Sequence, residues 1–81
     1  MTLMVKFFAL SRQATGTRQA EIRLPEKATA ALLMEMLCER FPKLKALSPT
    51  LKLAVNWEYA DPETPLGDGD EVAVIPPVAG G

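Results

Sequence analysis

Lys43-Leu44-Lys45-Ala46-Leu47-Ser48-Pro49-Thr50 is the stretch on which the architecture turns. Read as a second full helix, it gives a chain with two helices over its strands; read as a connection, it leaves one. Eight residues with two lysines and an internal proline are too short and too interrupted for a full helix, because proline lacks the N–H donor and clashes with the preceding turn. The segment therefore reads as a connection running over the surface.

On its N-terminal side lies the one segment with helical periodicity. Thr29 is a good N-cap, and the body runs Ala30-Ala31-Leu32-Leu33-Met34-Glu35-Met36-Leu37-Cys38-Glu39-Arg40-Phe41 before Pro42 ends it. Leu33, Leu37 and Phe41 recur every four residues and, with Ala30 and Met34 or Met36, form a stripe able to cover one face of a sheet. Two strands precede the helix. Leu3, Val5, Phe7 and Ala9 alternate with Met4, Lys6 and Phe8, and Ala20, Ile22 and Leu24 alternate with Glu21 and Arg23 up to Pro25. Between them Leu10 to Thr15 turns once as a helix, with Gly16 to stop it, and the short excursion predicts an antiparallel pair.

On the C-terminal side Leu51, Leu53 and Val55 alternate with Lys52 and Ala54. A turn at Asn56-Trp57-Glu58 and a short strand near Tyr59 follow. Asp61-Pro62 and Pro65 keep the next stretch irregular, Gly67-Asp68-Gly69-Asp70 is a turn, and Glu71 to Ile75 forms a last strand with Val72 and Val74 inward. Strand, strand, helix, strand, short strand, strand is an α+β order. It matches the β-grasp arrangement of ubiquitin, a mixed sheet of about five strands packed by one main helix. A ferredoxin-like sheet needs the second full helix that Lys43 to Thr50 does not supply. Residues 1–75 are expected to form the domain and residues 76–81 a flexible Gly-Gly tail.

Composition narrows the chemistry. The 81 residues show no composition break, and a net charge of −1 offers no basic field for nucleic acid or an anionic membrane. A hydrophobic fraction of 48% with 23% charged residues is that of an ordinary globular domain. Lys6 interrupts the opening apolar run, so it does not read as a signal peptide, and cytoplasmic residence is the expectation. Histidine is absent, which removes the side chain most readily poised for proton transfer near neutral pH. Cys38 has no cysteine or histidine partner and reads as a half-buried helix residue; no metal or bound cofactor is expected.

What remains is the end of the chain. Pro76 and Pro77 cannot extend sheet pairing, so Pro76-Pro77-Val78-Ala79-Gly80-Gly81 should project as a spacer reaching roughly 20 Å at about 3.3 Å per extended residue. Gly80-Gly81 is narrow enough for a channel that a larger residue would block. The Gly81 α-carboxylate is the one group left with transferable chemistry. It is a poor electrophile that ATP-dependent adenylation converts into a mixed anhydride. At the tail's root, Phe8, Ala73 and Ile75 fall in the outward phase beside Met4, Lys6, Lys52 and Ala54, an apolar patch suited to docking unless the register slips or a loop covers it.

The block Asp68 to Gly81, with Phe7-Phe8-Ala9, Leu24-Pro25 and Val55-Asn56, resembles the small-subunit family of molybdopterin synthase, among the ubiquitin-like sulfur carriers. The resemblance covers essentially the whole chain and implies a non-catalytic, sulfur-donating subunit. It implies that an adenylating enzyme docks the domain and uses ATP to form an acyl-adenylate on Gly81, and that a sulfurtransfer system leaves a C-terminal thiocarboxylate. The large synthase subunit then accepts the tail and passes the sulfur to a cyclic pterin precursor. In that scheme Gly81 bears the sulfur, Gly80 is the neck, and Pro76, Pro77 and Val78 are threaded. Phe8 and Ile75 dock, Arg12 joins the interface, and the assembly is a hetero-oligomer of small and large subunits.

One position departs from the family pattern. Relatives often carry glycine after the asparagine of the third-strand turn, where this chain has Trp57, so a turn of different type or length is expected. Trp57 is then either an exposed contact or a lid packed over the loop. The competing functions are a sulfur carrier for thiazole, tRNA thiolation or an amino acid, a ubiquitin-like protein modifier joined through Gly81, and a plain interaction domain.

Overall fold

The structure is a computed structural model, and residues 1–76 of the chain are described. Of the residues assigned to the tail, Pro77, Val78, Ala79, Gly80 and Gly81 lie outside the described residues. The elements follow in the order β1 (Thr2–Phe7), α1 (Leu10–Thr15), β2 (Gln19–Arg23), α2 (Ala30–Arg40), β3 (Lys52–Val55), β4 (Glu58–Tyr59) and β5 (Glu71–Ile75). The strands form one sheet in the order β2-β1-β5-β3-β4. Only β1 and β5 run parallel; β1–β2, β3–β5 and β3–β4 are antiparallel. This is a mixed five-stranded β-grasp sheet with one main helix across it.

Registers align the inward residues in rows. Leu3 faces Ile22, Val5 faces Val72, and Val74 lies between Phe7 and Leu53. Helix α2 closes that face with Ala30, Leu33 and Leu37, all buried. Its start is capped as expected: Thr29 has extended backbone, and its Oγ1 accepts from the Leu32 N–H at 3.4 Å. Two more first-turn N–H groups are satisfied from afar, since Ala30 donates to Thr64 O at 3.0 Å and Ala31 to Pro62 O at 2.9 Å. The irregular stretch after β4 thus closes the helix terminus. At the other end Phe41 meets the Phe7 ring edge-on, with centroids 5.5 Å apart.

Two expectations are corrected. The connection after α2 is two 3-10 turns, Pro42–Leu44 and Ser48–Thr50, and it is not wholly superficial, because Leu44 is completely buried. Pro42 starts the first turn without losing a needed hydrogen bond, and that tight turn aims Leu44 into the core. Nor does β1 reach Ala9: the strand stops at Phe7, and Ala9 is exposed with φ 52°, where the chain swings into α1. Among the described residues no helix is long and apolar enough to cross a membrane.

Candidate functional site: the open face of the sheet

Because strand side chains alternate, the face opposite α2 is built from the other half of the same strands. Ala73 and Ile75 of β5 form its centre, flanked by Lys6 of β1 and by Ala54 of β3, which pairs with Tyr59 of β4. These side chains shape a depression of about 420 Å³ lined by Phe8, Ala54, Trp57, Tyr59, Glu71, Ala73 and Ile75. Phe8 is 41% exposed and Tyr59 67%. Among the described residues the single charged lining residue, Glu71, is held by Lys6 at 2.6 Å on the rim. An apolar floor with its charge already paired favours an uncharged, apolar contact. The expected grouping of Phe8, Ala73 and Ile75 is present, and among the described residues no loop covers it. Trp57 and Tyr59, from the turn and short strand that follow β3, enlarge it.

The root of the tail lies at one edge of this depression. Ile75, the last residue of β5, pairs with Lys52, and partly buried Pro76 follows it. Phe8 is fixed beside it by Ser11, a completely buried serine. The Ser11 hydroxyl donates to Phe8 O at 2.7 Å and accepts from the Phe8 N–H at 3.0 Å. Its oxygen also lies 3.4 Å from Val74 O, so the β1–α1 corner and the end of β5 share one polar anchor. Sequence reasoning missed Ser11; a serine four residues after the strand end is the local signal for such a turn. Arg12, expected at the interface, does not line the depression: its side chain is exposed, with Nε 3.5 Å from Phe7 O.

The opposite end of β5 is tied down by side chains of the Asp-Gly-Asp block. Asp68 accepts from the Thr2 N–H at 2.7 Å, and Asp70 accepts from the Gly67 N–H at 2.7 Å and from Asn56 Nδ2 at 2.9 Å. Asn56 completes the clasp, accepting from the Glu71 N–H at 3.1 Å. These carboxylates do turn chemistry, as their spacing suggested. Among the described residues no group of three or more histidine, cysteine or acidic side chains is arranged to hold a metal ion.

The turn itself corrects another expectation. Val55 pairs with Glu58, leaving Asn56 and Trp57 as a two-residue hairpin loop with φ 49° and 75°. Two positive φ values are the mark of a type I′ turn, so the bulky residue has not changed the turn's length. Hairpin closure and the Asn56 clasp override the side chain's preference. Trp57 is 85% exposed and packs over nothing that would bury it.

On the helix side a second, wider groove of about 1040 Å³ runs between α2 and β3, past Met34, Cys38, Leu51 and Ala60. Cys38 is partly buried there, on α2.

A domain with this sheet, an apolar open face and a last strand that ends at Ile75 belongs to the ubiquitin-like β-grasp class. The chain is a member of the ThiS family, whose model matches residues 5–81. A curated relative, the molybdopterin synthase sulfur carrier subunit of Chlamydomonas reinhardtii, is 36% identical over 83 aligned positions covering all of both chains. Among solved structures, a Pyrococcus furiosus protein provisionally assigned as subunit 1 of the molybdopterin converting factor has a TM-score of 0.89 at 36% identity, covering 96% of this chain and 99% of that one. A complex of subunits 1 and 2 of the molybdopterin converting factor from Helicobacter pylori contains a chain with a TM-score of 0.72 at 26% identity, each chain fully covered. The small archaeal modifier protein 1 of Methanosarcina acetivorans has a TM-score of 0.79 at 28% identity, covering 99% of this chain and 96% of that one.

Proposed function

We propose that this chain is a sulfur carrier for molybdopterin synthesis, a non-catalytic subunit whose Gly81 carboxylate is the cargo site. The observation that carries the reading is the apolar open face at the tail's root, in a chain whose full-length relatives are named sulfur carrier subunits of molybdopterin synthase. An adenylating enzyme uses ATP to join AMP to the Gly81 carboxylate, with loss of pyrophosphate. The outer sulfur of a persulfide on a sulfurtransfer protein then attacks the acyl carbon and AMP leaves; a thiol cleaves the resulting acyl disulfide, taking up the donor sulfur as a disulfide and leaving the thiocarboxylate. The large synthase subunit takes up the tail, with Gly80 as its thin neck and Pro76, Pro77 and Val78 in the channel. Sulfur passes to the pterin precursor, and water cleaves the acyl–sulfur bond to return the carrier to its carboxylate. Phe8 and Ile75 hold the domain against each enzyme while this happens, and Arg12 stands outside the depression as a peripheral contact. The cytoplasm, where ATP and reduced sulfur are available, is the proposed compartment.

Intact-mass analysis tests this directly. Incubation with the adenylating enzyme, ATP and a sulfur source should exchange one oxygen for sulfur, confined to the C-terminal peptide. Deleting Gly81, or adding residues after it, should abolish transfer and leave the fold intact; sulfur transfer retained by either variant ends the proposal. The likeness to a small archaeal modifier protein favours a second reading, conjugation through Gly81. Isopeptide-linked products on lysines in the same incubation would select it. Pull-down of a thiazole synthase instead of a pterin-converting subunit would select another sulfur pathway.

A further inference from the structure

Trp57 is the residue on the open face that folding does not explain. It occupies the second position of a type I′ turn at φ 75°, where a residue with a Cβ is strained and glycine is favoured. Its indole receives no burial in return, standing 85% exposed at the rim of the depression. A large aromatic kept at a strained, solvent-facing site points to a role in binding. Asn56 holds the turn against β5 in both directions, donating from its N–H to Glu71 O at 2.8 Å and accepting from the Glu71 N–H, so the indole is carried on a rigid support. Trp57 also sits at the end of β5 opposite the tail. Four steps from Glu71 to Ile75 span about 13 Å at roughly 3.3 Å per residue, so a partner touching both Trp57 and the tail's root covers the whole strand.

We infer that Trp57 is a specificity anchor for the large synthase subunit, its indole inserting into an uncharged apolar socket on that subunit while the tail occupies the active site. The inference rests on the carrier reading above and deepens it. The large subunit is the occupant because a small chain of this fold has been solved in complex with such a partner, and because the depression Trp57 shares with Phe8 and Ile75 has only Glu71 as a charged lining residue, already paired with Lys6.

The chain contains one tryptophan, which gives the test its probe. Carrier labelled with 5-fluorotryptophan is titrated with purified large subunit and, separately, with the adenylating enzyme, following the 19F resonance and its solvent isotope shift. The expected result is a shifted resonance shielded from solvent in the large-subunit complex. Trp57→Gly should weaken that complex at least tenfold in Kd, with an unchanged or raised melting temperature. Binding to the adenylating enzyme should change less than threefold. Tight binding with an indole still open to solvent overturns the anchor and spares the carrier reading; absence of any complex with the large subunit defeats the carrier reading itself. A lowered melting temperature in Trp57→Gly assigns the residue to folding, and equal loss of affinity for both enzymes removes its specificity; either outcome overturns the inference.

Discussion

Phe7 and Phe8 are neighbours in sequence and opposites in structure: the first is 1% exposed beneath α2, the second 41% exposed on the open face. Val74 and Ile75 repeat the contrast at the end of β5, one fully buried and the other partly open. One pleated sheet thus carries two surfaces with different work. The helix side is closed by Ala30, Leu33, Leu37 and Leu44 and holds the domain together, while among the described residues nothing covers the other side. Apolar character alone does not separate the two; what covers each face does.

Mutations can break the contrast in order of expected size. Phe7→Ala should cost about 3–5 kcal/mol by opening a cavity under Phe41, a large share of the roughly 5–15 kcal/mol typical of a domain. Urea denaturation should show a much lower midpoint, and loss of transfer should follow from loss of fold. Asn56→Ala removes both side-chain bonds of the clasp, to Asp70 and to the Glu71 N–H, and should cost about 1–3 kcal/mol. Hydrogen exchange should then accelerate first at the start of β5, and a uniform acceleration would show that the clasp is not local.

Phe8→Ala makes the comparison sharpest. Its side chain contributes to the open face, so stability should change by less than about 0.5 kcal/mol, while affinity for the large subunit should fall about tenfold, or about 1.4 kcal/mol. Titration calorimetry beside urea denaturation reads both quantities, and a variant that loses stability but not affinity would place Phe8 in the core's service. Lys6→Met should have the smallest effect. The Lys6–Glu71 pair is more than a third exposed on both sides, so its loss should cost no more than about 1 kcal/mol and should matter less at high salt. Denaturation at two ionic strengths checks it.

Much of the fold was legible because strand and helix periods are local. The alternation from Leu3 to Phe7 and the four-residue spacing of Leu33 and Leu37 state which side chains share a face before any partner is known. The bounds of α1 and β5 match their expected ranges, since Gly16 in the left-handed region and Pro76 stop them chemically. The outward placement of Phe8 and Ile75 was legible by the same phase rule. Ser11 and Leu44 were not, and Trp57 was legible only as one of two alternatives, an exposed contact or a side chain packed over the loop, of which the structure shows the first. Each owes its place to a partner distant in sequence: Ser11 to the end of β5, Leu44 to the core under α2, and Trp57 to a hairpin locked against Glu71.

Sequence by itself determined the element types, the inward and outward sets, and the proline-marked departure of the last strand, because steric limits on backbone and side chain act over a few residues. Only the tertiary structure decided that β5 lies between β1 and β3, that Phe8, Trp57, Tyr59 and Ile75 surround one depression, and that a tryptophan holds a glycine's conformation. Those outcomes depend on hydrogen-bond registers between segments tens of residues apart. A local preference such as that of Trp57 gives way when the register and the Asn56 clasp together outweigh it.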